Sequence, residues 1–518
     1  MDFSLQQLGE NKLYAGGAIV FLALFVVVLT GHNDPLAHIP GPWYARWTGL
    51  VTTYYTLRGR KPSYVHSLHA KYGPVVRFGP SEVDFSDPVA AQSIHRIKNA
   101  FRKAEWYRNI TPNVNHIVNL TDVETHRRHR RLLSAPLSES GLKVFLPQID
   151  SRVRLAISRM AEEAKASPTR TVDVYKWFIF MATDVIGELS FGESFRMLEH
   201  GKINQYALDM QAVARAGAVR VTFPILTRLS MLLPIPLPLF EKPKKTAERL
   251  RGYATQSLAR HRALVETSDT APPTLLSKLY RAEEAAATAA AEDSNNKKKD
   301  TADVSLSLTM TPDEVRDNAQ AYIVAGSDTT SNTLTYLVWS VCRDRTSGVR
   351  ARLLEALAGL PEDFSDEDLR GVAYLEHVID ETLRLHPAVP APLPRVVPPE
   401  GAELAGYRVP PGIVVSTQAR SLHKNPEAFP DPERFIPERW ENPTKLMKDS
   451  FMPFGGGSRI CIGLHLARIE LRLATARFFR AFPNAKVSTS DGMSDADMAA
   501  EEYFLFVPRG HRCLIDLY

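Results

Sequence analysis

Ten residues near the C-terminus, Phe454-Gly455-Gly456-Gly457-Ser458-Arg459-Ile460-Cys461-Ile462-Gly463, set one cysteine in a glycine-rich loop with an arginine two positions before it. A thiolate is a good ligand for haem iron, and electron density pushed through the iron favours cleavage of an O–O bond. Cys461 is the one plausible donor. Leu464, Ala467, Leu471 and Ala474 recur downstream at helical spacing, so the cysteine is expected just before a helix N-terminus, where free N–H groups and the dipole favour an anionic sulfur. The glycines are read as letting the backbone take unusual conformations and approach a flat macrocycle without a Cβ in the way. A structural cysteine in a surface turn is the plain alternative. A phosphate-cradling loop is disfavoured, because no Gly-Lys-Ser/Thr follows the glycines.

A second chemical motif falls inside a predicted helix. Thr311-Pro312-Asp313-Glu314 has the form of a helix start, with Thr as N-cap, Pro at the first position and Glu as capping-box partner, and the helix is predicted to run to about Cys342. Its middle reads Ala325-Gly326-Ser327-Asp328-Thr329-Thr330, a poor helix interior in which Gly alone costs about 1 kcal/mol against Ala. Gly326 leaves room for a ligand, and Thr329 and Thr330 follow on the same face, their hydroxyls able to bond back to the preceding turn. An alcohol beside a carboxylate can deliver protons through water; a polar kink in a structural helix is the other reading. In Asp380-Glu381-Thr382-Leu383-Arg384-Leu385-His386-Pro387, Glu381 and Arg384 can pair at i, i+3, and Pro387 ends the helix.

These motifs resemble those of the cytochrome P450 family. The loop fills every specified position of Phe-x-x-Gly-x-Arg-x-Cys-x-Gly with Phe454, Gly457, Arg459, Cys461 and Gly463; the helix motif is similar to Ala/Gly-Gly-x-Asp/Glu-Thr-Thr/Ser; and Glu381 and Arg384 match Glu-x-x-Arg. The resemblance implies that Cys461 is the axial thiolate of haem b, that Arg459 pairs with a haem propionate and that Phe454 packs near the sulfur. It implies that Thr329 stabilises iron-bound oxygen and Asp328 relays protons. Arg434, in Pro432-Glu433-Arg434-Phe435, is taken as the third member of a structural triad with Glu381 and Arg384. Arg395 matches a propionate partner, and His126 and Arg130 align with Trp-x-x-x-Arg, His126 replacing the tryptophan. The implied fold is mainly α with a small β portion.

The composition agrees without selecting this reading. The chain has 518 residues, 44% hydrophobic, with a net charge of +5 whose basic residues are scattered, so nucleic acid is not implied. Three cysteines are too few for a disulfide framework, and their wide spacing offers no zinc or iron–sulfur site. Residues 13–30 are apolar and uncharged and as a helix would reach about 27 Å, near the thickness of a bilayer core. They are read as a membrane anchor within residues 1–31 and not as a cleaved signal peptide, whose basic n-region is lacking. Residues 32–43 are read as a proline-rich hinge, residues 44–518 as the catalytic domain, and residues 282–303 as a low-complexity loop. The resemblance then places the chain as a single-pass protein of the endoplasmic reticulum membrane, in contact with lipid, with its catalytic domain cytosolic. The sequons at Asn109 and Asn119 would be silent there.

The expected activity is a monooxygenase inserting one atom of O₂ into a hydrophobic small molecule, in the manner of fungal members that tailor polyketides, terpenoids or alkaloids. No Rossmann fingerprint is present, so an external electron partner is needed, and the resemblance implies NADPH acting through a separate NADPH–cytochrome P450 reductase. A haem-thiolate isomerase or dehydratase needing no electrons, and a non-enzymatic haem sensor, are the rival readings; Asp328-Thr329 counts against both. Substrate contacts are expected from residues 106–120, from 212–240 with Phe223 and Phe240, and near Ala325 and Val389.

Overall fold

The computed structural model describes residues 34–96, 101–112, 114–232, 238–267, 273–277 and 310–518. Helices dominate. In chain order, those that matter for the site are α1 (Pro88–His95), α2 (Trp106–Ile110), α3 (Val123–Ser134), α4 (Leu146–Ala166), α5 (Val174–Phe191), α6 (Gln205–Thr222), α7 (Pro238–Thr267), α8 (Pro312–Cys342), α9 (Ala373–Leu385) and α10 (Leu464–Ala481). A five-stranded sheet lies to one side, with β1 (Val75–Gly79), β2 (Glu82–Phe85), β3 (Arg102–Lys103), β4 (Arg395–Val396) and β5 (Val414–Ser416) in spatial order β1-β2-β5-β4-β3. The mainly α fold with a small β portion is as expected.

The long helix α8 is the axis of the molecule. Thr311 Oγ1 accepts from the Glu314 N–H at 3.2 Å while Glu314 Oε2 accepts from the Thr311 N–H at 2.9 Å, a complete capping box at the start the sequence indicates. From Ser327 onward α8 is buried almost all round, packed against α5, α9 and α10. Helix α5 is itself buried on almost every side, wrapped by others. One core cluster joins Phe178 and Ile186 of α5, Leu334 and Leu337 of α8, Val378 of α9 and Phe478 of α10, which fixes the cysteine loop, leading into α10, against the middle of α8.

One expectation is corrected. Among the described residues no helix is long and apolar enough to cross a membrane, and residues 13–30, on which the anchor rested, lie outside the described residues. The transmembrane helix, the lipid contact and the single-pass endoplasmic-reticulum placement are therefore not retained. The low-complexity segment 282–303 also lies outside the described residues. The described part of the expected hinge is packed onto the sheet: Leu36 and Ile39 are buried in a cluster with Val75, Val83 and Val415, and Pro40 O accepts from the Arg77 N–H at 2.8 Å. A Cβ at Gly41 would stand 2.3 Å from Arg77 O, so only glycine permits that approach.

Candidate active site

The cysteine loop is a series of tight turns. Gly455 and Gly457 both have positive φ (+72° and +59°), and Cys461 N–H closes the loop onto Phe454 O at 2.9 Å. At Gly457 the demand is steric as well, because a Cβ there would fall 1.6 Å from His95 O at the end of α1. This glycine makes room for α1. Helix α10 begins at Leu464 with Gly463 as N-cap. Burial pushes the Cys461 thiol up, while the Gly463 N–H and the Arg130 guanidinium favour the thiolate. Arg130 Nη1 also donates to Ile460 O at 2.7 Å, tying α3 to the residue before the cysteine. Phe454 packs against the core with Arg468 5.8 Å from its ring.

Cys461 is exposed, but into an interior cavity of about 1830 Å³ whose lining also includes Phe454, Arg130, His126, Arg459 and Arg395. Ala325, Gly326, Asp328 and Thr329 of α8 line the same cavity. Ligand pockets commonly measure about 300–1,000 Å³, so this space exceeds what one small substrate needs. Around it lies a cluster of cations. Arg395 is buried, its Nη1 donating to Tyr107 Oη and to Pro394 O, both at 3.0 Å. Burial lowers Arg459 to about 10, Tyr107 and Asp122 pulling the other way, and its buried Nη1 has no hydrogen-bond partner. Lys103 is also buried and is held well below its ordinary pKa by burial and by Arg395, Arg459 and Arg130. Several cations gathered at one edge of an interior cavity, one with an orphaned N–H, call for an anionic occupant. A flat group with two carboxylates fits that demand.

On α8, Thr329 Oγ1 donates to Ala325 O at 2.7 Å, the back-bond the sequence suggested. Asp328 is buried, and burial raises its carboxyl to about 6. Gly326 lines the cavity and also has a packing role. A Cβ there would stand 2.9 Å from Ile186 Cγ1, so this glycine lets α5 pack closely onto α8. Glu470 of α10, which the sequence reading passed over, lines the same cavity. It is 2% exposed, burial raises it to about 8 although a hydrogen bond with Thr330 opposes the shift, and its Oε2 has no partner. A carboxylate among Leu466, Ile469, Leu471 and Leu473 on a buried helix was the available signal.

The structural triad is present with one member changed. Glu381 and Arg384 are fully buried and doubly bonded, Nε to Oε2 at 2.8 Å and Nη2 to Oε1 at 2.9 Å. Arg434 is not the third member: its side chain is 73% exposed and reaches only Asp431, and only its carbonyl accepts from Arg384. Arg439 fills the place, Nε to Glu381 Oε1 at 3.1 Å, beside Trp440 Nε1 at 3.0 Å from Oε2 and the Ile436 N–H at 2.8 Å from Oε1. Pro432-Glu433-Arg434 and Pro437-Glu438-Arg439 repeat the same triplet five residues apart; the second copy, in a 3₁₀ turn with Pro437 and Trp440 buried, faces inward.

The cavity is lined also by the loop 114–120, by α6 and by α8. Asn115 N–H donates to Asp317 Oδ2 and Ile117 N–H to Asn318 Oδ1, both at 2.9 Å. Asn119 is buried, with its amide donated to Thr111 O, Thr111 Oγ1 and Val114 O, so in the folded chain it offers no nitrogen to a glycan. Phe223 is partly exposed, and the side chain of Phe240 lies outside the described residues.

A cysteine that opens onto an interior cavity, an anion-seeking edge, and a polar stretch of a long helix lining the same cavity fit a haem-binding protein. Comparison with known proteins makes this specific. The chain belongs to the cytochrome P450 family: the model described as Cytochrome P450 matches residues 39–511. Cytochrome P450 monooxygenase tazI of Aspergillus terreus is 45% identical over 96% of this chain and 98% of its own length. Cytochrome P450 monooxygenase orf2 of Aspergillus niger is 40% identical over 99% of each, and cytochrome P450 monooxygenase aflV of Aspergillus parasiticus is 33% identical over 98% and 96%. The protein is an oxidoreductase, a monooxygenase dependent on O₂.

Proposed function

We propose that Cys461 would hold the iron of haem b through its sulfur, that Arg459, Arg130, Arg395 and His126 would hold its carboxylates, and that Phe454, Gly457 and Gly463 shape the loop around the sulfur. Haem, when bound, supplies the oxygen-activating chemistry that places one atom of O₂ in the substrate and releases the other as water. The remaining work falls to the chain. Thr329 Oγ1 spends its proton on Ala325 O, which leaves its lone pairs free to order water in the cavity. Asp328, raised to about 6, gains and loses a proton near neutral pH, as a relay group should. Glu381, Arg384 and Arg439 brace the loop side without touching the reacting atoms.

Electrons come from NADPH through a separate NADPH–cytochrome P450 reductase, and the substrate is a hydrophobic small molecule of secondary metabolism. The large cavity, with its Ile, Val, Leu and Ala lining, supports an apolar substrate. The observation that carries the proposal is that Cys461 and the Asp328-Thr329 pair open onto one cavity. Reduced holoenzyme with carbon monoxide should show a thiolate-type Soret band, and a histidine-type spectrum would sink the ligand assignment. With reductase and NADPH, Thr329→Ala should slow product formation by about a hundredfold, the lower end for a positioned proton-transfer group, and lower the product formed per O₂ consumed; unchanged coupling would refute the relay.

A further inference from the structure

Lys103 is a buried cation to which the proposal above gives no task. It ends β3, and its register partner across the ladder is Arg395 of β4, both side chains being buried. Like charges directly opposite on adjacent strands destabilise a sheet. Arg459 and Arg130 add further positive charge, and no carboxylate is among the groups acting on the Lys103 ammonium. An apolar residue of similar length would avoid that cost.

The hydrogen bonds say what the ammonium holds. Lys103 Nζ donates to Ile117 O at 3.1 Å and to Val118 O at 2.7 Å, and it lies 5.0 Å from the ring of Tyr107, whose hydroxyl accepts from Arg395. Ile117 and Val118 belong to the loop that lines the substrate side of the cavity. The same loop is fastened to α8 through Asp317 and Asn318. Ile117 is thus gripped twice, by its N–H from α8 and by its carbonyl from β3. Charge-assisted bonds to carbonyls are about twice as strong as neutral ones, and anions at this edge, by keeping the ammonium protonated amid three arginines, would strengthen both bonds.

We infer that Lys103 is a positioning residue which fastens the substrate-facing loop 114–120 to the cation-lined edge of the haem site, so that haem carboxylates at that edge steady the loop. This rests on haem being seated against those cations, and the haem content of each variant, read by absorbance, reports separately on that premise.

The test uses holoenzyme. Lys103→Met removes both N–H donors and the charge, whereas Lys103→Arg keeps charge and donors. Backbone amide exchange followed by mass spectrometry should rise about tenfold across 114–120 in the Met variant, the loss expected for an ordinary hydrogen bond, and stay near wild type in the Arg variant. Clotrimazole, a bulky hydrophobic azole read by its spectral shift, should bind several-fold more weakly to the Met variant, with the carbon monoxide spectrum unchanged. Wild-type exchange in a haem-loaded Met variant overturns the inference, as does a loss of protection in the Arg variant equal to that in Met. If the Met variant yields no holoenzyme, the Arg variant decides alone: retained protection and azole binding support the tie, and their loss refutes it.

Discussion

Glu470 shows how far a single residue's environment can depart from what its type suggests. Its carboxyl is raised from 4.5 to about 8, chiefly by burial, so the folded chain keeps a proton that the unfolded chain releases near pH 4.5. Below that pH both states are protonated and the group costs nothing. Between about 4.5 and 8 the folded state binds more protons, and stability falls as pH rises, by roughly 1.4 kcal/mol per unit. Glu470→Gln, which cannot ionise, should therefore gain on wild type across this window, by a few kcal/mol at pH 8 relative to pH 5. Denaturant unfolding at the two pH values measures this, and a pH-independent difference would mean the carboxyl is ionised in the folded state.

At the scale of elements, much of the architecture was legible. Thr311-Pro312-Asp313-Glu314 announced α8 because capping is local chemistry, written in four adjacent residues. The helix after Cys461 announced itself by periodicity. What the sequence hid depends on which side of an element faces inward. Two Pro-Glu-Arg triplets are equivalent until the chain is folded, and only then does Arg439 turn to Glu381 and Arg434 to solvent. Gly326, which lines the cavity, also admits Ile186, and Gly457 admits His95, because a glycine does not name the neighbour it admits. Lys103 carried no signal at all, since its partners are carbonyls and cations distant in sequence. The corrected triad is testable. Arg439→Leu should cost about 3–5 kcal/mol by leaving part of the buried Glu381 charge unpaired, and should reduce haem incorporation. Arg434→Ala should stay within about 0.5 kcal/mol. Comparable losses from both would restore Arg434 to the triad.

For the molecule as a whole, the cavity makes cofactor and fold one thermodynamic system. Arg459, Arg130, Arg395 and Lys103 gather positive charge at one edge, and Arg459 keeps an orphaned N–H there. In haem-free protein, removing one of these cations relieves repulsion; in holoenzyme, with the cations holding haem carboxylates as proposed, it would remove a charge-assisted hydrogen bond. Arg459→Gln should thus raise the stability of the haem-free form by about 1 kcal/mol and lower that of the holoenzyme by about 1–3 kcal/mol. Calorimetry of both forms checks it, and the same sign in both would remove the anion-seeking edge from the account.

The loop 114–120 takes its backbone bonds from Asp317 and Asn318 on one side and from Lys103 on the other. It is not a detachable module. Grafted alone into a relative, it would keep its internal turn but lose the ties of Asn115, Ile117 and Val118, so a transplant must carry the first turns of α8 and the strand that ends at Lys103; if the loop faces substrate as proposed, selectivity is a property inherited in blocks.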